Sequence, residues 1–175
     1  MITQEEVKQN ANNKEFLINA VKQDGKLLEF ATEELKNDKE LVLEAIHNYA
    51  GSLIFASNHL KDDKEVVLEA VKKEPWTVCY ASDNLKSDRE IMLYGVKHNG
   101  QILYYASQEL RNDKEVVLEA VKNKGIILKY VSRELRNDEE VVTEAIKQDK
   151  KALEFATPEM QKNEKILELL NFSSK

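Results

Sequence analysis

The sequence predicts an all-α helical-repeat solenoid: an α-α superhelix of six 25-residue repeats, each a long helix, a short helix and a tight, 3₁₀-like turn. Three observations predict it. An Asp-Lys dipeptide or close variant begins at Asn13, Asp38, Asp63, Asp88, Asp113 and Asp138, and every step is the same (38 − 13 = 25). Within each unit the apolar residues recur three and four apart, the period of one helix face. No segment alternates with period two over a useful length, so strands are not indicated. An unbroken period means that each unit packs on its neighbours in the same way, and a unit this small must stack to bury its apolar face. The chain divides into an N-terminal cap (1–12), six tandem repeats (13–162) and a partial seventh repeat (163–175).

Each element has its own signal. Thr3 and Glu6 form a short capping box before Val7. In the repeat from Asp113, Asn112 precedes Glu115 by three, which predicts another capping box. The same pair recurs as Asn12/Glu15, Asn37/Glu40, Asp62/Glu65, Ser87/Glu90 and Asn137/Glu140. Val116, Val117, Ala120 and Val121 share one face of the long helix. Lys122 suits its carboxyl end, and Gly125 is read as the stop, as are Gly25 and Gly100, with Pro75 in the same slot. The long helix is expected to run about 11 residues.

Leu128, Val131 and Leu135 then lie on one side of a shorter second helix. Thr157 is followed by Pro158, and proline is tolerated at the first position of a helix but not inside one. Thr32, Ser57, Ser82, Ser107, Ser132 and Thr157 are therefore read as caps of a separate final turn, of 3₁₀ type. The column Ala20, Ala45, Ala70, Gly95, Ala120, Ala145 is small in every copy, which allows close approach of stacked helices. The aromatic column Phe30, Phe55, Tyr80, Tyr105, Tyr130, Phe155 is read as core, with the ring body buried and the para position near water. Ile166, Leu167, Leu169 and Leu170 begin a seventh long helix that stops at Phe172. Leu169 stands in a column that is polar elsewhere. Two explanations stay open: it closes the core, or the chain is a piece of a longer array.

The pattern from Ala120-Val121 through Gly125, Leu128-Lys129-Tyr130 and on to Asp138 resembles a tandem helical-repeat family described only as a domain of unknown function. Such repeats occur in arrays in protists, large viruses and some bacteria, secreted effectors among them. The resemblance covers residues 13–162. It implies a helical-repeat fold and no activity, since the family brings no catalytic residues to carry over. Val131 and Gly95 depart slightly from its pattern.

Composition narrows the function. Lys+Arg number 26 against 32 Asp+Glu, a net charge of −6, which argues against nucleic acid or anionic lipid as partner. One cysteine excludes an internal disulfide framework and a cysteine-rich zinc site. No apolar run approaches the ~18 residues of a membrane span. The start, Met1 to Glu6, reads as no signal peptide. Cytoplasmic residence is the default, although secretion by a signal-less route would leave the same sequence.

No cofactor, metal or catalytic group is expected. His47, His59 and His98 include no i, i+4 pair, and Cys79 has no histidine in its own repeat or a matching column beside it. The acid column Asp38, Asp63, Asp88, Asp113, Asp138 repeats at a spacing that overlaps paired catalytic carboxylates. Its uniform use favours helix capping over catalysis. The basic column Lys22, His47, Lys72, Lys97, Lys122, Lys147 could track phosphates, but Glu44, Glu69, Glu119 and Glu144 lie three residues before their partners and largely cancel it.

The informative positions are those where copies differ. Lys26, Gly51, Trp76, Gln101, Ile126, Lys151 form one column, and Glu29, Ile54, Cys79, Tyr104, Lys129, Glu154 another, three residues on. The face they share is charged in the outer repeats and apolar between: Ile54, Trp76, Cys79 and Tyr104, with Ile126 beyond and Tyr94 as a further aromatic in an otherwise polar column. Packing needs should follow the period, and this cluster does not. An apolar patch rimmed by charge marks an interaction surface. The leading reading is a non-catalytic protein–protein interaction scaffold that binds a peptide or helix of a partner, itself a monomer or weak homo-oligomer. The alternatives are a spacer or fragment of a larger, effector-like protein and, behind these, a phosphate- or RNA-binding repeat protein.

Overall fold

A computed structural model describes residues 2–172. Met1 and the last three residues of the expected C-terminal cap, Ser173, Ser174 and Lys175, lie outside the described residues. The chain is all-α, with tandem repeats and no strand among the described residues. Two compact units divide it, Met1–Lys86 and Ser87–Lys175, which hold the first three and the last three repeats.

The repeats share one plan. In the fifth, an α-helix spans Lys114–Asn123, a six-residue 3₁₀ helix Gly125–Tyr130, and a short 3₁₀ turn Leu135–Asn137. The expected second helix is thus 3₁₀ rather than α. Gly125, Leu128 and Val131 fall three apart and all are buried, as a helix of three residues per turn requires. An α-helix brings residues three apart to one side as well, so sequence spacing does not separate the two. The final turn is 3₁₀ in the four inner repeats and a single α-turn in the outer two, Glu33–Lys36 and Pro158–Gln161. Its hydroxyl cap is present, with Ser57 Oγ accepting from Leu60 N at 3.2 Å and Thr157 Oγ1 from Met160 N at 3.4 Å.

The long helix begins one residue later than the capping-box reading places it and runs ten residues. Its cap is Asp113, whose Oδ1 accepts from Glu115 N at 3.0 Å and Val116 N at 3.1 Å. Two adjacent residues, Asn112 and Asp113, are both competent caps. The choice falls on Asp113 because its backbone is extended, while Asn112 still belongs to the preceding turn. Asn112 instead accepts the Ser132 hydroxyl of the next repeat. The Thr3/Glu6 capping box forms as expected.

Glycine at the helix end does a different job from the one expected. No described residue has positive φ, so none forms a left-handed stop. Gly25 sits there because a Cβ would collide with the Ala45 carbonyl oxygen of the next repeat; Gly100 meets Ala120 and Gly125 meets Ala145 in the same way. The close approach is then used. Gly25 N donates to Asn48 Oδ1 at 2.8 Å, and Asn48 Nδ2 donates back to Lys22 O at 2.9 Å. Gly100 N and Asn123 Oδ1 repeat the contact at 2.8 Å. Pro75, in the same slot, has no N–H to offer.

The core is strictly periodic. Leu41, Val66, Ile91, Val116 and Val141 are fully buried, as are the residues that follow each of them. All six residues of the small column are buried. The aromatic column is not core. Phe30, Phe55, Tyr80, Tyr130 and Phe155 are half-buried, and Tyr105 is exposed. The core slot lies two residues earlier, where Leu28, Leu53, Val78, Leu103 and Leu128 are fully buried. The aromatic ring follows on the outer shoulder of the 3₁₀ helix.

Charges tie successive repeats together. In the first unit Lys14 Nζ reaches Asp38 at 2.7 Å and Glu40 at 2.8 Å, and Lys39 Nζ reaches Asp63 at 2.9 Å and Glu65 at 2.7 Å. In the second, Arg89 takes Asp113 at 2.7 Å together with Glu115, and Lys114 takes Asp138 and Glu140, each at 2.9 Å. At the last step the polarity reverses. Glu139 stands where the other repeats carry a cation, and Lys165 stands where they carry Glu; the two pair at 3.0 Å. Partial burial pushes the Asp38 carboxyl up, but the Lys14 ammonium and the Leu41 and Glu40 N–H groups outweigh it, leaving the group below its ordinary value. In Asp113 the Arg89 guanidinium is the leading cause of the same downward shift. These carboxylates are capped, paired and ionised, which is how a structural acid column behaves.

Candidate functional site

The side chains that depart from the period fall into two groups, one in each unit. In the first unit Trp76 follows Pro75 at the start of the 3₁₀ helix Pro75–Tyr80. It is half-buried and meets Tyr80 edge-to-face, with centroids 5.7 Å apart at 78°. The same slot one repeat earlier is Gly51, and Tyr49 fills it: a Cβ on Gly51 would stand 2.5 Å from Tyr49 Cζ. Lys26 Nζ covers the Tyr49 ring at 5.1 Å. Ile54 projects outward, 42% exposed, on the 3₁₀ helix Ala50–Phe55. Cys79 is half-buried, and that burial pushes its thiol up, away from the thiolate a nucleophile needs.

The second unit carries a more open group. Tyr104, 51% exposed, lies near the end of the 3₁₀ helix Gly100–Tyr105. Its ring meets Tyr105 edge-to-face at 5.1 Å and Tyr130 of the next repeat at 5.0 Å. Arg111 Nη2 donates to the Tyr104 carbonyl at 2.7 Å, and Lys129 Nζ sits over the Tyr130 ring at 4.7 Å. Ile126 is half-buried at the start of the following 3₁₀ helix. Tyr94 belongs to the long helix, where it stacks on His98 at 4.3 Å.

Each unit also has a shallow cleft between neighbouring repeats, in equivalent places. One, of about 290 Å³, is lined by Asn58, Lys61, Tyr80, Ala81, Ser82 and Asp83. The other, of about 430 Å³, is lined by Gln108, Arg111, Asn112, Tyr130, Ser132 and Glu134. Both combine a phenol, a cation, an amide and a hydroxyl.

Sequence reasoning picked out Tyr104 as a surface residue and missed the rings around it. Tyr105 and Tyr130 belong to the column assigned to the core. The free exchange of Phe and Tyr there was the available signal: a hydroxyl tolerated in three of six copies needs water or a polar neighbour.

The remaining candidates are solvated or engaged. His47, His59 and His98 are exposed. His47 Nε2 lies 4.0 Å from Glu69 of the next repeat. Glu69, Glu119 and Glu144 pair with Lys72, Lys122 and Lys147 at 3.8, 3.5 and 2.7 Å, as the spacing in the sequence anticipates. Among the described residues no group of three or more His, Cys, Asp or Glu side chains is arranged to hold a metal ion. No helix among them is long and apolar enough to cross a membrane.

The amino-acid sequence is matched by a family model at 13–61, 38–86, 63–111, 88–136 and 113–161. Each window covers two neighbouring repeats and starts one repeat after the last (63 − 38 = 25), so the matching unit is a stacked pair. No curated protein and no solved structure matches the chain. The repeats from 13 to 161 make the chain a member of the family described as Domain of unknown function (DUF4116).

Proposed function

We propose that the chain is a non-catalytic scaffold that holds a peptide or helix of another protein against the apolar side chains of its 3₁₀ helices. Residence in the cytoplasm belongs to the same reading. One observation carries it. Ile54 and Tyr104, 42% and 51% exposed, occupy a position that is Glu29 and Glu154 in the outer repeats, where the stack asks only for a solvated side chain. Packing does not need an isoleucine or a tyrosine there, and apolar groups held in water are the currency of recognition surfaces. Trp76, Cys79, Ile126 and Tyr94 are half-buried companions on the same two units.

The test is selection of a displayed random-peptide library on the full chain. Parallel selections use Ile54→Asp and Tyr104→Asp, both exposed positions at which helicity is expected to stay intact. Peptides enriched on the wild type and lost on either variant support the reading. Enrichment untouched by both variants, or no enrichment at all, overturns it.

A further inference from the structure

We infer that the tyrosine cluster of the second unit is a seat for a proline-rich segment in polyproline II conformation, flanked by acidic residues. This rests on the interaction reading above and names its partner class.

Geometry is the first argument. Tyr104 bridges the aromatic positions of two successive repeats, touching Tyr105 at 5.1 Å and Tyr130 at 5.0 Å, both edge-to-face. Stacked helical layers step by about 8–10 Å. A polyproline II strand turns once every three residues and rises about 3.1 Å per residue, so its turn advances about 9.3 Å. Prolines three apart therefore come into register with rings one repeat apart. Rings meeting at an angle leave apolar notches for a pyrrolidine rather than one flat face for a base.

Hydrogen bonding is the second. A polyproline II strand has no internal hydrogen bonds and presents its carbonyls to its surroundings. The cleft beside Tyr130 supplies donors: Gln108 lines it with its amide, and Arg111 lines it with a guanidinium anchored through Nη2 on the Tyr104 carbonyl. Aromatic rings that grip proline beside donors that grip carbonyls are the working parts of proline-rich recognition.

Charge is the third. Arg111 and Lys129 flank the rings, while the one acid lining the cleft, Glu134, accepts from the Asn112 amide at 3.2 Å. The local surface is cationic on a chain of net charge −6. An acidic residue beside the prolines complements it; a polyanion meets the acidic remainder of the molecule.

The experiment is titration calorimetry of the full chain with a synthetic peptide of about ten prolines carrying glutamate at each end. Comparison probes are a Gly-Ser peptide with the same glutamates, the proline peptide ended by lysines, an amphipathic helical peptide and oligouridylate. The glutamate-ended proline peptide is expected to bind. The Gly-Ser peptide is expected to be silent and the lysine-ended one weaker. The double variant Tyr104→Ala, Tyr105→Ala, checked for unchanged helicity, should lose about tenfold or more. Lys129→Glu should reverse the preference between glutamate and lysine ends. Silence of the proline peptide, or binding indifferent to the tyrosines, overturns the inference. So does preference for the helical peptide or for oligouridylate. Failure here with Tyr104-dependent library peptides that lack proline removes the partner class and keeps the interaction reading; failure in both removes both.

Discussion

The two units share the repeat and its buried columns and differ most in how they treat their aromatic side chains. In the first, Trp76 rests on Tyr80 and Tyr49 folds back over Gly51 beneath Lys26, so each ring has a partner from its own neighbourhood. In the second, Tyr104 stands in water as a bridge between two repeats. The difference teaches that the repeat constrains what faces the next layer and leaves the outer shoulder of the 3₁₀ helix free. That shoulder is where two units of one architecture can acquire different surfaces.

Breaking a shared feature should harm both units alike, and the largest effect is expected at the glycine slot. Gly25→Val in the first unit and Gly100→Val in the second each drive a side chain into a backbone carbonyl that cannot retreat. Each should cost about 3 kcal/mol, the upper end of ordinary overpacking, in chemical denaturation. A clearly smaller loss at either position would show that the stack yields there.

The unshared rings should separate the units. Trp76→Ala removes a half-buried ring and should cost about 1–2 kcal/mol, less than a core aromatic. Tyr104→Ala should cost about 0.5–1 kcal/mol, the scale of its ring pairs. Equal costs would mean that Tyr104 serves the fold.

A third test concerns an unsatisfied buried hydroxyl in the first unit. Ser52 is fully buried and its Oγ has no hydrogen-bond partner among the described residues, while Ala152 occupies the same slot in the second unit. Ser52→Ala should stabilise the chain by about 1 kcal/mol, the penalty of an unsatisfied hydroxyl. Destabilisation would reveal an unseen partner.

A smaller effect is expected at the reversed ion pair, which only the second unit has. Glu139→Lys opposes two cations and should cost about 0.5 kcal/mol, with Lys165→Glu in the same chain restoring it. Absence of coupling in that double-mutant cycle would make the reversal incidental.

The smallest effect per group should come from protonation, and it should be the same in both units. Asp38 and Asp63 in the first and Asp113 and Asp138 in the second all lie below their ordinary value. Lowered carboxyls hold their stabilisation above the unfolded pKa of ~3.9 and lose it as pH falls through the folded values. Melting temperature should therefore be flat above pH ~5 and decline below ~4. Amide exchange followed over that range should show the two units weakening together.

Much of this was legible in the sequence. The period, the helix face of Val116, Val117, Ala120 and Val121, the small column and the hydroxyl caps all follow from local rules that one repeat contains. The exposed position of Tyr104 was legible too, because a departure from a strict period has to answer to something outside the stack. What local rules left open was decided between repeats. Asn112 and Asp113 are equal candidates as caps until the preceding turn claims Asn112, whose side chain then accepts the next repeat's Ser132 hydroxyl. Gly25 resembles a left-handed stop until the Ala45 carbonyl shows that space, and not backbone freedom, is what it supplies. The aromatic column passes for core until the 3₁₀ winding turns Leu128 inward and Tyr130 outward, a rotation that spacing alone does not encode. The sequence by itself determined the repeat and its faces. Only the tertiary structure decided which residues meet across layers, because those choices depend on atoms 20–26 residues away along the chain.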